Sequence, residues 1–207
     1  MTIPSIDRPS ELNAINEVLA AIGQAPVTTV DQTNPDVSII QQTLANVSRE
    51  VQSEGWHFNK ESSYKLTPQA DKTIPIPDNM LSLDLDAKYY GAKDVVRRNG
   101  KLYDKWRETR ELAYTFNSPV YVAVIWFIGY SEIPTLIQDY IVARTAALVS
   151  TRIVGDATQY QILQARELNK RANALEYDCN SADYTYFGHP RGDNSYNPYQ
   201  PYRALYR

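Results

Sequence analysis

Apolar side chains recur at intervals of three and four near both ends of this 207-residue chain, and at every second position in the stretch between. A helix buries one face at a period of 3.6 and a strand at a period of 2. The pattern therefore requires helices from both ends of the chain and a sheet from its middle. In the first segment, Leu12, Ile15, Val18, Leu19 and Ile22 share one face of a helix predicted from about Ser10 to Ile22. Ser10 is placed to cap it, with Glu11 in the first turn, and Gly23 followed by Pro26 stops it.

A second helix opens at Asn34-Pro35, where Asn caps and Pro takes the first helical position. Its seam is Val37, Ile40, Leu44, Val47 and Val51, and Gly55 ends it. Spacing that alternates three and four suits a nearly parallel or antiparallel neighbour, as in a bundle. Trp56-His57-Phe58-Asn59 follows, which should place two large aromatics at the base of that bundle.

From about Lys60 to Ile128 the period becomes two: Leu81, Leu83 and Leu85 alternate with Ser82, Asp84 and Asp86. Pro75 and Pro77 confine their segment to a sheet edge or to positions outside a ladder. Asn99-Gly100, between Val95-Val96-Arg97-Arg98 and Lys101-Leu102-Tyr103-Asp104, is a strong two-residue hairpin signal. Val120, Val122, Val124 and Trp126 line one face of a last strand.

A third helix is predicted from near Pro134 to about Val154, with Ile137, Ile141 and Leu148 inward and Gly155 as its stop. Asp156 caps a fourth, with Gln159 in capping-box position. The fourth helix's apolar seam, Ala165, Leu168, Ala172, Leu175 and Cys179, is expected to face the core. The short Gly155-Asp156 link makes these two helices antiparallel neighbours. The fold class read from this pattern is α+β: a four-helix bundle core, an inserted small antiparallel β-sheet lobe and an extended C-terminal arm. The divisions are 1–62 for the first half of the bundle, 63–129 for the β-rich lobe, 130–182 for the second half and 183–207 for the arm.

The arm follows from composition. Residues 183–207 hold six tyrosines, three prolines and one branched aliphatic side chain, too little to build a core. Aromatic anchors on an extended, proline-stiffened segment instead suit addition onto a partner. Tyrosine, at 16 residues against four phenylalanines, is favoured where a side chain is buried at one end and wet at the other.

Charge and cysteine usage exclude several classes. Lys and Arg number 21 against 24 Asp and Glu, a net charge of −3, so no basic stripe is available to neutralise many phosphates. One cysteine forms no internal disulfide, and two histidines with one thiol do not make the usual structural zinc site. Neither metal nor cofactor is implied. The N-terminal MTIPSIDRPSEL has no secretory-signal pattern, and the longest apolar run, 120–128, is of strand length, short of the ~18 residues that span a bilayer. A cytoplasmic site of synthesis without membrane association is expected.

Candidate chemistry is sparse. Gly129-Tyr130-Ser131-Glu132-Ile133 begins like a nucleophile elbow but lacks the closing glycine. His57, between two aromatics, reads as a structural histidine, and Cys179 as a small core hydrophobe. Asp84 and Asp86, two apart on a strand, share a face as a glycosidase pair does in outline, and as a solvated strand face does too. Arg191-Gly192-Asp193 spells an adhesion tripeptide within a polar, turn-prone tail. No catalytic residue is assigned.

The order of several elements carries a resemblance. These are Glu11 to Val30 (ELNAINEVLAAIGQAPVTTV) and Val47 to Asn59, with Gly55, Trp56, Phe58 and Asn59. Arg98, Gly100, Leu102, Tyr103 and Asp104 follow, then Glu132-Ile133-Pro134 leading into Gln138-Asp139-Tyr140-Ile141, and Gly155-Asp156. In this order the chain resembles the tail tubular protein A family of short-tailed phages; the tyrosine-rich arm and Lys105 to Ser118 depart from the pattern. The resemblance implies a structural virion protein of the tail, synthesised in the host cytoplasm. It implies a dodecameric, homo-oligomeric adaptor ring joining the portal protein to the tail nozzle (tail tubular protein B). Tail fibres are a further partner, and DNA passes through the ring without specific binding. On the arm, Tyr196, Tyr199, Tyr202, Leu205 and Tyr206, with Arg203 and Arg207, are the candidate portal-binding residues. The competing expectation is a virion-associated hydrolase of cell-surface polysaccharide using Asp84, Asp86 or nearby acids, and a third is an adhesion module working through Arg191-Gly192-Asp193.

Overall fold

The computed structural model describes residues 11–30, 34–86, 94–105, 109 and 112–182. Four α-helices and two small antiparallel sheets make the fold α+β. The chain forms two compact units, a helical one that takes in the residues up to Glu54 and Ile128–Cys179, and a β-rich one containing Gly55–Phe127. The expected arm and its portal-binding residues Tyr196, Tyr199, Tyr202, Arg203, Leu205, Tyr206 and Arg207 lie outside the described residues, as do Ser10 and Arg191-Gly192-Asp193.

In the helical unit, α1 (Glu11–Ala21) buries Ala14, Ile15, Val18 and Leu19. It ends in a Schellman turn: Gly23 sits at φ +79°, its amide donates to the Ala20 carbonyl, and the Gln24 amide donates to that of Leu19. Helix α2 (Pro35–Ser53) is capped by Asn34, whose Oδ1 accepts from the Asp36 amide at 3.0 Å. Its seam of Val37, Ile40, Leu44, Val47 and Val51 is fully or almost fully buried. Helix α3 (Thr135–Ile153) packs against both α1 and α2 and buries eleven residues, among them Ile137, Tyr140 and Ile141. Ala143, Ala146 and Ala147 let the neighbouring backbones come close.

Helix α4 (Ala157–Ala182) follows after Gly155, which adopts φ +74°. Asp156 caps it through the Thr158 amide at 2.8 Å. Gln159 does not return to the cap as a capping box would; its side chain donates to the Ala21 carbonyl at the end of α1, at 2.7 Å. The expected inward seam is also corrected: Ala165, Leu168, Ala172, Leu175 and Cys179 are all exposed, and the buried positions are Leu163, Ala174 and Ala182.

In the β-rich unit, β5 (Val120–Trp126) is the centre of a three-stranded antiparallel sheet, between β1 (Lys60–Leu66) and β2 (Met80–Leu85). Strands β3 (Val95–Arg98) and β4 (Lys101–Asp104) form a separate hairpin, with Asn99 and Gly100 at φ +51° and +68°. Ile74 and Ile76 are buried while Pro75 and Pro77 point outward. Here the Ile76 amide donates to the Gly100 carbonyl and Leu102 donates to Ile74, so the prolines occupy an edge and interrupt no ladder. Val120, Val122 and Val124 from β5 close the core with Leu66, Leu85, Leu102 and Phe116. Trp56 is buried. Gly55 ahead of it, at φ +80°, ends α2.

Candidate functional site

Helix α4 departs from the usual distribution of side chains, because its cations pair with the other helical segments while Leu168 and Leu175 face water. Arg166 pairs with Glu17 of α1, and Lys170 with Asp139 of α3 at 2.6 Å. Arg171 forks onto Glu54, the residue that caps the C-terminus of α2, at 3.2 and 2.9 Å. Each of the three preceding helical segments thus supplies one carboxylate to α4. Half-exposed ion pairs contribute ~0–1 kcal/mol each, and the forked Arg171 pair is the strongest in kind because its geometry is fixed. These pairs add to the burial of Leu163, Ala174 and Ala182 on the same helix.

The deepest member of this network is Tyr140, which has no exposed surface. Its hydroxyl accepts from Arg171 at 2.6 Å and from Arg144 at 3.0 Å, while Arg144 also reaches Glu50 at 2.6 Å. Burial works against the charge on both guanidiniums. Tyr140 with Glu54 at Arg171, and Tyr140 with Glu50 and Glu167 at Arg144, outweigh it and raise both pKa values. Burial, with the negative charges of Glu17, Asp139 and Glu11, pushes the Tyr130 hydroxyl far above its ordinary range, so it stays neutral.

The outward face of α4 carries Ala165, Leu168, Ala172, Leu175 and Cys179, with Ile162 at its edge. Ile162 is 66% exposed and Leu168 63%, values that exclude them from the core of their own chain. Gln164, Asn169 and Asn173 border the stripe, and Glu176 is the one acidic side chain beside it.

The remaining candidates are scattered. His57 is exposed in a single 3-10 turn, His57–Asn59. Asp84 is exposed and accepts from the Leu85 amide at 2.7 Å, and Asp86 accepts from Ser63, which stands at a β-bulge with φ +59°. Ser131 lies in the 3-10 turn Tyr130–Glu132 that leads into α3. Cys179 is exposed and not part of a core. Among the described residues no group of His, Cys, Asp and Glu is arranged to hold a metal ion, and no helix is long and apolar enough to cross a membrane.

Two amides that periodicity did not single out hold the helical unit's connections. Gln52, with no exposed surface, donates to the Ile128 carbonyl at 3.0 Å and accepts from the Ile128 amide at 2.8 Å. Asn16 grips Val27 in the same two-way manner at 2.9 and 2.8 Å. Their one available signal is position, since Gln52 adjoins Val51 of the α2 seam and Asn16 adjoins Ile15 of α1.

Exposed leucines on a helix whose three cations are paired within the chain mark a protein that presents contact surface to other proteins. Comparison with known proteins agrees with that class. Residues 12–184 match the tail tubular protein family. The chain is also 29% identical over 153 residues to tail tubular protein A of Klebsiella phage KP34, covering 72% of this chain and 76% of that one. The chain belongs to the tail tubular protein family, and so is a structural component of a phage tail.

Proposed function

We propose that the protein is the adaptor that joins the portal to the tail nozzle as a dodecameric homo-oligomeric ring and forms part of the DNA conduit. The observation that carries this reading is the family match across residues 12–184, together with a relative named tail tubular protein A. A ring needs two unlike surfaces on each chain, one against each neighbour, and further surface for the partners above and below. A helical unit, a β-rich unit and a tyrosine-rich C-terminal segment supply distinct surfaces of that kind.

On this reading Tyr196, Tyr199, Tyr202, Leu205 and Tyr206, aided by Arg203 and Arg207, grip the portal, and the free energy of ordering the segment is spent when it binds. The nozzle and the tail fibres contact other surfaces. The net charge of −3 favours a channel that repels the DNA backbone, so the genome slides without specific binding. Mixing the purified protein with portal rings and imaging the product tests the proposal. The full chain is expected to decorate one end of the portal with a ring, and a chain lacking residues 190–207 is expected to stay folded and leave portals bare. Docking by the truncated chain would remove the assigned role of the arm, and portals left bare by the full chain would remove the adaptor reading.

A further inference from the structure

We infer that the outward face of the β3–β4 hairpin docks a carboxylate carried on an acidic segment of a neighbouring protein, with Arg98 as the residue that takes it. The inference stands on the hairpin alone and does not require the portal reading.

Cross-strand register decides which side chains share that face. Val95 and Leu102 are buried in the core of the β-rich unit, and side chains alternate along a strand. Val96 opposite Tyr103, and Arg98 opposite Lys101, therefore stand on the other face. Gly100 serves the turn through its positive φ, and Leu102 serves the core. Arg98 and Tyr103, from the same run of sequence, serve neither. Instead the Arg98 guanidinium lies over the Tyr103 ring, 4.2 Å from Cζ to the ring centre. Tyr114, in the 3-10 turn Leu112–Tyr114, meets that ring edge-on at 5.1 Å between centres, and its hydroxyl lies 3.5 Å from the Asn99 amide nitrogen.

A guanidinium held over a ring keeps its N–H donors for other partners, in the planar fork that matches a carboxylate. Arg98 is exposed, and among the described residues no carboxylate pairs with it. The cations beside it differ: Arg97 pairs with Asp78, Lys101 with Asp71 and Lys105 with Asp94. The hairpin thus offers one pre-oriented guanidinium among charges that are already balanced. A nucleic-acid backbone calls for a row of free cations, and three of the four here are taken. A single carboxylate needs one fork, and binds at less entropic cost where the side chain is already in place. Arginine and tyrosine are also residues on which protein contacts concentrate.

Fluorescence polarisation with a fluorescein-labelled hexaglutamate peptide, added to the full-length chain at low ionic strength, tests this. The native chain should bind, and Arg98→Met should weaken binding by about tenfold. Its circular dichroism should be unchanged, because Arg98 is exposed. Arg98→Lys should stay near the Met variant, since an ammonium has no planar fork. Tyr103→Leu should weaken binding several-fold by removing the platform under Arg98, whereas Lys101→Met should change it by less than about twofold, its charge being engaged by Asp71. In a nuclear magnetic resonance titration the Arg98 Nε–H signal, identified by its absence from Arg98→Lys, should move as peptide is added. Hexathymidylate as a competitor covers the nucleic-acid alternative. No binding by the native chain, equal binding by Arg98→Met, full rescue by Arg98→Lys, or displacement of the peptide by equimolar hexathymidylate would each overturn the docking site.

Discussion

Helices α3 and α4 are joined by one glycine turn and read alike in sequence, yet they use their apolar residues in opposite ways. Helix α3 buries residues on nearly every side because α1 and α2 both pack on it. Helix α4 turns Leu163 and Ala174 inward beside a row of charged side chains and leaves Leu168 and Leu175 in water. An apolar seam thus locates a contact face without saying whether the contact lies within the chain or outside it.

The contrast between the two helices predicts the greatest loss of stability at Ile141. Ile141→Ala removes a fully buried side chain from α3 and should cost about 3 kcal/mol in urea unfolding, within the range for such truncations. Next is Gln52→Leu, which leaves both polar groups of Ile128 without the side chain that holds them. A loss of about 2 kcal/mol is expected on the same measurement, with Gln52→Glu recovering only the acceptor half.

Arg171→Met should cost up to about 1 kcal/mol, since it removes a partly exposed forked pair together with one donor to Tyr140. Its sharper signature is local: amide hydrogen exchange should accelerate along α4 and remain slow in α3. Equal acceleration of the two helices would mean that α4 is as deeply integrated as α3. Leu168→Ala should change stability by less than ~0.5 kcal/mol, and a cost comparable to that of Ile141→Ala would show that its exposure has been misjudged.

The smallest effect is a pH dependence in the β-rich unit. The Asp71 carboxylate accepts from the Thr73 amide at 3.0 Å and the Thr73 hydroxyl at 2.8 Å, and these bonds, with Lys101 nearby, hold its pKa below the ordinary aspartate value of 3.8. A depressed folded pKa contributes stability that is present above the unfolded value and is lost as pH falls through the folded one. In a nuclear magnetic resonance titration Asp71 should protonate below free aspartate, and Thr73→Ala should return its midpoint toward 3.8.

Much of the fold was legible because it depends on local physics. The α2 seam, the Asn34 cap, the positive-φ turns at Gly23, Gly55 and Gly155, and the Asn99-Gly100 hairpin each follow from a few adjacent residues. The edge position of Pro75 and Pro77 follows from the missing amide hydrogens. Less of the contact surface was legible. The period of the α4 stripe marks a set of residues without saying that they face outward, and Gln159 stands in capping-box position although its partner is Ala21.

Periodicity and backbone preference act over a few residues, so the amino-acid order alone was enough to place the four helices and the Asn99-Gly100 hairpin and to show that α4 carries one apolar face. Which way that face points is set by contacts from the rest of the chain. Its rotation depends on Glu17, Glu54 and Asp139, which arrive from three other parts of the chain and hold the cations of α4 inward. A charge brought to its partner by folding leaves no periodic trace in either segment, so the choice between an inner and an outer face was made by packing.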